Sequence, residues 1–168
     1  MRGSRSFGAK GTNMKRVLIA VIAALISASM LWATPPSGQT STVIGPPVIM
    51  DPLKVGRQTS AWQIEIEAMR GLRVVTSSIT FAPGGYSGWH MHPGPVIITV
   101  KEGTMTFYQE DCTANVFTAG QGFIETGAHP HFARNETDSP ATTVVTYLTP
   151  PSATTTRIDA PQPVGCNP

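Results

Sequence analysis

The feature that most constrains the fold of this chain is a series of short strand-like segments separated by turns. Segments rich in Val, Ile, Thr and aromatic residues recur at intervals of roughly ten residues, a spacing typical of a β-sandwich or β-barrel. They are AWQIEIEAM, LRVVTSSITF, VIITVK, TMTFYQ, NVFT, GFIE, HFAR and TTVVTYL. The first of them alternates apolar and polar residues, as expected of a half-exposed strand. No segment after residue 33 has a convincing helical period, so the sequence predicts a single all-β domain.

One strand is predicted to face the interior with an apolar side. If Val96 points inward, so do Ile98 and Val100, because side chains two apart lie on the same face of a strand. The segments VIITVK and TMTFYQ meet at Glu102-Gly103. An acidic residue followed by Gly tolerates a left-handed turn, so we interpret the two segments as a β-hairpin.

All four histidines lie in two His-x-His pairs, His90 with His92 and His129 with His131. On a strand, each pair points to one side, while Trp89 lies on the opposite face and is expected in the core. Imidazoles from two strands can surround a divalent cation at nitrogen–metal distances of about 2.1 Å. The alternative is that the pairs lie on the surface or satisfy one another. The Gly and Pro turns around both pairs favour a metal site.

These two segments resemble the two conserved motifs of the cupins. In the first, the matching residues are Gly84, His90, His92 and Gly103; in the second, they are Gly127, His131 and Asn135. The wider pattern is similar to small secreted bacterial cupins of the cupin-2 type. The resemblance implies a jelly-roll β-barrel, also called a double-stranded β-helix. It also implies that Asn135 fixes a loop and that the protein could form a homodimer.

The sequence departs from the cupin pattern at two places. Val96 stands where the family usually has a metal-binding glutamate, and Glu125 stands where the second motif usually has proline. One extra residue also precedes His131. Glu125 could therefore serve as a late carboxylate ligand or as a catalytic general base, or it could be an exposed residue at the rim.

The expected ligands of the metal are His90, His92 and His131, with His129 as a fourth or alternative ligand. The cofactor is predicted to be one divalent transition metal. Imidazole ligands favour Cu, Zn or Ni, and the resemblance to the cupins also allows Fe or Mn. Tyrosines could orient a bound ligand or pack in the barrel wall instead. They are Tyr86, Tyr108 and Tyr147.

Two classes of function follow from this site. The protein could be a metal-dependent enzyme, such as an oxygenase, isomerase or lyase acting on a small organic substrate. It could instead be an exported protein that binds a metal or a small ligand without turnover. The chain from Thr34 onward has seven basic and ten acidic side chains, a net charge of −3, so no basic patch favours nucleic acid.

The beginning of the chain predicts export to the periplasm or the extracellular space. The segment VLIAVIAALISASMLWA is uncharged, follows Lys15 and Arg16, and ends at Pro35-Pro36, which is typical of an export signal. An uncleaved membrane anchor is the alternative. The predicted organisation is an export signal or anchor, a linker or arm, the cupin barrel and a Pro-rich tail, whose proline content predicts no regular structure. Their bounds are residues 1–33, 34–55, 56–150 and 151–168.

Cys112 and Cys166 are the two cysteines of the chain. Disulfides persist in the compartments that exported proteins occupy, so we predict that the two cysteines pair and tie down the tail. A thiolate metal ligand or a reactive cysteine is the alternative reading.

Overall fold

A computed structural model describes residues 33–168 of the chain, and within them it has thirteen β-strands and no helix. The all-β prediction is confirmed for this part. Residues 33–168 therefore contain no helix that is long and apolar enough to cross a membrane. The predicted export signal lies outside the described residues except for Ala33. The strands are β1 (Ser37–Val43), β2 (Val48–Met50), β3 (Leu53–Gln58), β4 (Gln63–Ala68), β5 (Leu72–Tyr86), β6 (His90–Met91), β7 (Val96–Glu102), β8 (Thr104–Gln109), β9 (Ala114–Thr118), β10 (Gly122–Glu125), β11 (His131–Arg134), β12 (Ala141–Thr149) and β13 (Ile158–Asp159).

Eleven of these strands form one antiparallel sheet that nearly closes into a barrel. The 15-residue strand β5 joins its two halves. In one half the order is β10-β7-β12-β5, with β1 and β2 on the other edge of β5. In the other half β11 pairs with β6 and β8, β8 pairs with β9, and β6 pairs with β13. The halves meet where Arg134 pairs with Tyr86.

The core lies inside the barrel and follows the alternation of the strands. Val96, Ile98 and Val100 of β7 are buried as predicted, while Ile97 between them is exposed. On β12, Val145 and Tyr147 are buried at the same two-residue spacing. Because successive side chains point to opposite faces, these β-branched and aromatic residues fill the interior without a second layer of helices.

The predicted hairpin of β7 and β8 is wrong. Strand β7 pairs with β10 and β12, whereas β8 pairs with β9 and β11. Gly103 does turn the chain with a positive φ of 75°, and a Cβ atom there would lie 2.8 Å from the carbonyl oxygen of Pro140. The turn therefore leads from one half of the sheet to the other, because both edges of β7 are already paired.

Strands β3 and β4 form a separate two-stranded sheet. Lys54 lies 2.9 Å from both Glu65 and Glu67 on one face, which confirms that these carboxylates are on an exposed side. The apolar face is exposed as well, with Trp62 56% and Ile66 43% accessible. The strand prediction is confirmed, but its burial on one face is not, because the apolar side chains of this face remain exposed in the described part of the chain. The homodimer that the resemblance to the cupins implies stays a prediction.

The C-terminal segment lies against the strand that carries the first histidines. Ile158 and Asp159 of β13 pair with Met91 and His90, and the N–H of Ala160 donates to the carbonyl oxygen of Trp89. Cys112 and Cys166 form a disulfide across a sequence separation of 54 residues, which confirms the predicted pairing. The tail thus contains a short strand, where its proline content predicted none.

Candidate metal centre

Three histidines converge at one end of the barrel interior. His90 of β6 pairs directly with His131 of β11, and the backbone N–H of His92 donates to the carbonyl oxygen of Gly127. One ring nitrogen from each histidine lies within 4.8 Å of the others. All three residues are only 6–8% exposed. The two predicted segments therefore bring three of their four histidines to a common point.

Backbone carbonyls fix the protonation pattern of these rings. Nδ1 of His90 bonds to the carbonyl oxygen of Gly88, and Nδ1 of His131 bonds to that of His129 at 3.1 Å. Nδ1 of His92 bonds to the carbonyl oxygen of Thr156. A carbonyl oxygen only accepts, so each Nδ1 carries the hydrogen and donates it. In the neutral ring, each Nε2 then keeps a lone pair, which is the arrangement of metal-ligating histidines.

Burial keeps two of these rings uncharged. The loss of water around His90 lowers its pKa well below the usual value for histidine, and the nearby rings of His131 and His92 lower it further. Burial also lowers the pKa of His131, although the carboxylate of Glu125 acts in the opposite direction. Both imidazoles are therefore neutral at pH 7 and have free lone pairs.

Glu125 reaches the same point from strand β10. Its Oε1 atom lies 3.1 Å from Nε2 of His92 and 3.3 Å from Nε2 of His131. The side chain is only 14% exposed, and within residues 33–168 its buried Oε1 has no hydrogen-bond donor. This oxygen and the neutral Nε2 of His131 both accept hydrogen bonds, so they are unfavourable neighbours unless a cation lies between them. Two ligands held at about 2.1 Å in a tetrahedral site are roughly 3.4 Å apart, so the observed separations fit a shared metal.

A cavity of about 190 Å³ opens beside this cluster. Much of its wall is apolar, and its apolar residues are Ile79, Phe81, Ile98, Phe107, Ala133 and Val145. Tyr147 also lines it, with its ring centroid 5.2 Å from that of His92. Burial raises the pKa of Tyr147 to about 12, so its hydroxyl stays protonated and can donate a hydrogen bond.

The fold and the histidine motifs correspond to a known family. The family model described as a cupin domain matches residues 77–147, which include all the histidines. Residues 77–147 form a cupin domain. The predicted double-stranded β-helix is thereby confirmed. No curated protein matches this cupin in sequence.

Several solved structures are similar to this cupin. A cupin domain from Bordetella pertussis is 17% identical, with 69% of this chain and 98% of that chain covered and a TM-score of 0.46. A double-stranded β-helix protein from Klebsiella pneumoniae is 25% identical, with 52% and 74% covered and a TM-score of 0.46. The cupin domain of a transcriptional regulator from Enterobacter cloacae is 23% identical, with 46% and 82% covered and a TM-score of 0.41.

In this cupin the acidic residue beside the histidines is Glu125 of β10, which neighbours the strand β7 where the first motif usually has its glutamate. Val96 occupies the position of the glutamate in the first motif, and it is buried in the core. Glu125 pairs directly with Val96 across strands β10 and β7. The carboxylate is thus one strand away from its usual place and still lies beside His92 and His131.

The structure does not bring His129 into the cluster. Its side chain is 66% exposed and lies 3.0 Å from a carboxylate oxygen of Glu110. Only its backbone takes part, by accepting the hydrogen bond from His131. His129 lies before β11 begins, separated from it by Pro130, so the two histidines do not share a regular strand. Of the pair His129 and His131, His131 therefore belongs to the cluster and His129 does not.

The other candidate residues have mixed placements. Tyr86 stacks on Phe132, and the hydroxyl of Tyr108 donates to Glu136, so neither residue lines the cavity. Asn135 is completely buried and fixes its loop as predicted. Its amide nitrogen donates to the carbonyl oxygens of three residues, which are Phe81, Ala82 and Ser139.

Sequence patterns did not single out two residues of the C-terminal segment. Thr156 and Arg157 both line the cavity, and Thr156 orients His92 through its carbonyl oxygen. The available signal was small: Arg157 is the one basic residue after Arg134 in a tail of Pro, Thr and Ala.

Proposed function

We propose that this protein is an exported, metal-dependent cupin that binds a small organic substrate in the barrel. One divalent transition metal would be held by His90, His92 and His131, with Glu125 as the fourth ligand. The observation that supports this most strongly is the convergence of three buried imidazoles on a buried carboxylate oxygen that has no hydrogen-bond donor among the described residues. Three nitrogens and one oxygen suit Fe, Mn, Zn, Cu or Ni.

The residues around the site have different proposed roles. When bound, the metal would supply Lewis acidity to a substrate oxygen or to water. The carbonyl oxygens of Gly88, Thr156 and His129 hold the three rings in one orientation. Glu125 neutralises part of the positive charge, and the apolar cavity wall keeps bulk water away from the substrate. The protonated hydroxyl of Tyr147 can donate to a polar group of that substrate.

As an enzyme, the protein would be an oxygenase, isomerase or lyase. Glu125 would then act either as a metal ligand or as a general base that takes a proton from the substrate. These roles differ in a measurable way, because loss of a ligand weakens metal binding whereas loss of a base lowers turnover alone.

A second candidate is a protein that binds a metal or small ligand without turnover. The observation that favours it is the shortage of acid–base groups around the cavity. Apart from the three histidines and Glu125, the titratable side chains that line it are Tyr147 and Arg157. If Glu125 remains a metal ligand, neither of these two is suited to accept a proton at neutral pH.

The test compares Glu125→Gln with a matched control, Glu110→Gln, whose carboxylate lies against the exposed His129. We expect E125Q to bind metal at least about tenfold more weakly in competition with a chelator, and E110Q to match the wild type. Equal metal affinity in all three proteins would overturn the ligand role of Glu125. Mass spectrometry of a mixture of small organic acids and alcohols incubated with the metal-loaded protein then separates the two candidates. Metal-dependent conversion indicates the enzyme, and ligand retention without conversion indicates the binding protein.

Export rests on two separate features. The sequence begins with basic residues followed by an uncharged apolar segment, and the folded domain contains a disulfide. Disulfides are typical of proteins that mature in oxidising compartments. N-terminal sequencing of the protein from the exported fraction would show a start near residue 34, whereas a membrane-bound, full-length chain would indicate an anchor.

A further inference from the structure

Arg157 has an unused donor at the wall of the cavity. Its side chain is 26% exposed and lines the same cavity as the histidines. On one side, Nε donates to Oδ1 of Asp159 at 2.6 Å. Within residues 33–168, Nη2 is buried and has no hydrogen-bond partner. A charged donor without an acceptor is costly, so a guanidinium in the cavity wall is suited to an anion that enters the cavity.

The backbone around Arg157 is held firmly beside the histidines. Oγ1 of Thr155 donates to the carbonyl oxygen of Arg157 and accepts from its N–H. The preceding residue, Thr156, accepts the hydrogen bond from His92, and the following strand β13 pairs with β6. The guanidinium bonds to Asp159, and Arg157 lies in the wall of the same cavity as the three histidines.

We propose that Arg157 binds the anionic group of the substrate, and that the substrate is a small organic carboxylate. This inference rests on the proposed function, since it names the substrate of that site. A guanidinium presents several N–H groups in one plane, which match the two oxygens of a carboxylate. Asp159 bonds only to Nε, so the rest of the guanidinium has donors to spare for an anion.

The size and lining of the cavity restrict the rest of the substrate. A volume of about 190 Å³ is smaller than the roughly 300–1,000 Å³ of typical small-molecule pockets, so a molecule with few heavy atoms fits. Ile79, Phe107 and Val145 favour a short apolar chain over a sugar. The amide of Gln39 also lines the cavity, and its buried Oε1 has no partner, so it can accept from a hydroxyl or amine of the same molecule.

The experiment measures the binding of acetate, propionate and butyrate, with propionamide as an uncharged probe of matched size. Calorimetry is done on the wild type, Arg157→Gln, Arg157→Lys and a control, Arg57→Gln, which removes an exposed arginine from strand β3. Each protein is measured both stripped of metal and reloaded, and its metal content is determined separately.

We expect R157Q to lose roughly ten- to a hundredfold in propionate affinity, which is the loss typical of a charge-assisted hydrogen bond to a buried partner. R157K should lose less, because it keeps the charge without the planar group. R57Q should match the wild type, and propionamide should bind all four proteins equally.

Two outcomes separate this inference from the proposed function. If R157Q and R157K bind both metal and propionate like the wild type, the role of Arg157 is overturned while the metal site stands. If the wild type takes up no metal, the proposed function fails, and the stripped proteins still decide whether carboxylate binding depends on Arg157. Should R157Q fail to fold, an unchanged propionate affinity in R157K would overturn the inference.

Discussion

Breaking the disulfide between Cys112 and Cys166 should destabilise the domain without removing the metal. In the chain-entropy model, closing a loop of 54 residues restricts the unfolded chain by about 14 cal mol⁻¹ K⁻¹, or about 4 kcal/mol at 25 °C. Residues 33–168 should unfold with about 0.29 kcal mol⁻¹ K⁻¹ of entropy, at about 2.1 cal mol⁻¹ K⁻¹ per residue. The melting temperature should therefore fall by roughly 10–15 °C.

The assay follows thermal unfolding by circular dichroism for the wild type and a Cys112→Ser/Cys166→Ser variant, each with and without a phosphine reductant. The reductant should lower the melting temperature of the wild type to that of the variant and leave the variant unchanged. Metal content should remain the same in all samples, because neither sulfur is available as a ligand while the bond is intact. If the melting temperature of the Cys112→Ser/Cys166→Ser variant lies within about 3 °C of that of the oxidised wild type, the loop-closure reasoning is refuted. Loss of metal with the disulfide would instead show that the C-terminal segment is needed to hold His92.

Two further substitutions test how the loops around the site are built. Asn135→Ala removes a buried amide that bonds to three backbone carbonyls, so we expect it to lower the stability by about 3 kcal/mol in urea unfolding; a change below about 0.5 kcal/mol would contradict this role. Gly127→Ala puts a Cβ atom against the carbonyl of Gly94 and 3.1 Å from Cβ of His92, so it should weaken both folding and metal binding. Its control is Gly120→Ala, which has a similar positive φ but open space around it, and should cost only about 1 kcal/mol with metal binding unchanged. Equal metal affinity in the two glycine variants would count against the packing argument.

Local alternation in the sequence was sufficient to predict the faces of the strands. The two-residue spacing put Val96, Ile98 and Val100 inside. It also put His90 and His92 on one side of their segment and Trp89 on the opposite side. These predictions succeed because the direction of a side chain on a strand depends only on its own backbone.

The pairing of strands was not predictable in the same way. Gly103 was read correctly as a left-handed turn, but the sequence does not reveal whether β7 pairs with β8 or with β10 and β12. That choice depends on long-range contacts. The same limit affected His129, which shares its spacing with His131 but lies in a loop.

The role of Glu125 depends on the register in which its strand pairs, which the sequence alone does not give. Its proximity to the second motif was visible in the sequence, and three readings remained open. Only the direct pairing of Glu125 with Val96 puts the carboxylate where the first motif lacks one. Arg157 was missed for a similar reason, because its Pro-rich surroundings predicted irregular structure and gave no sign that β13 would pair with β6.

The metal content of the purified protein tests the central proposal most directly. The wild type and three variants, H90A/H92A, H131A and H129A, are stripped with a chelator, reloaded with Fe²⁺, Mn²⁺, Zn²⁺ or Cu²⁺, desalted and analysed for metal, with circular dichroism as a check of folding. We expect about one metal ion per chain in the wild type and in H129A, whose imidazole lies outside the cluster, and little or none in folded H90A/H92A and H131A. A wild type that takes up no metal, or folded H90A/H92A that retains as much as the wild type, would contradict the metal centre.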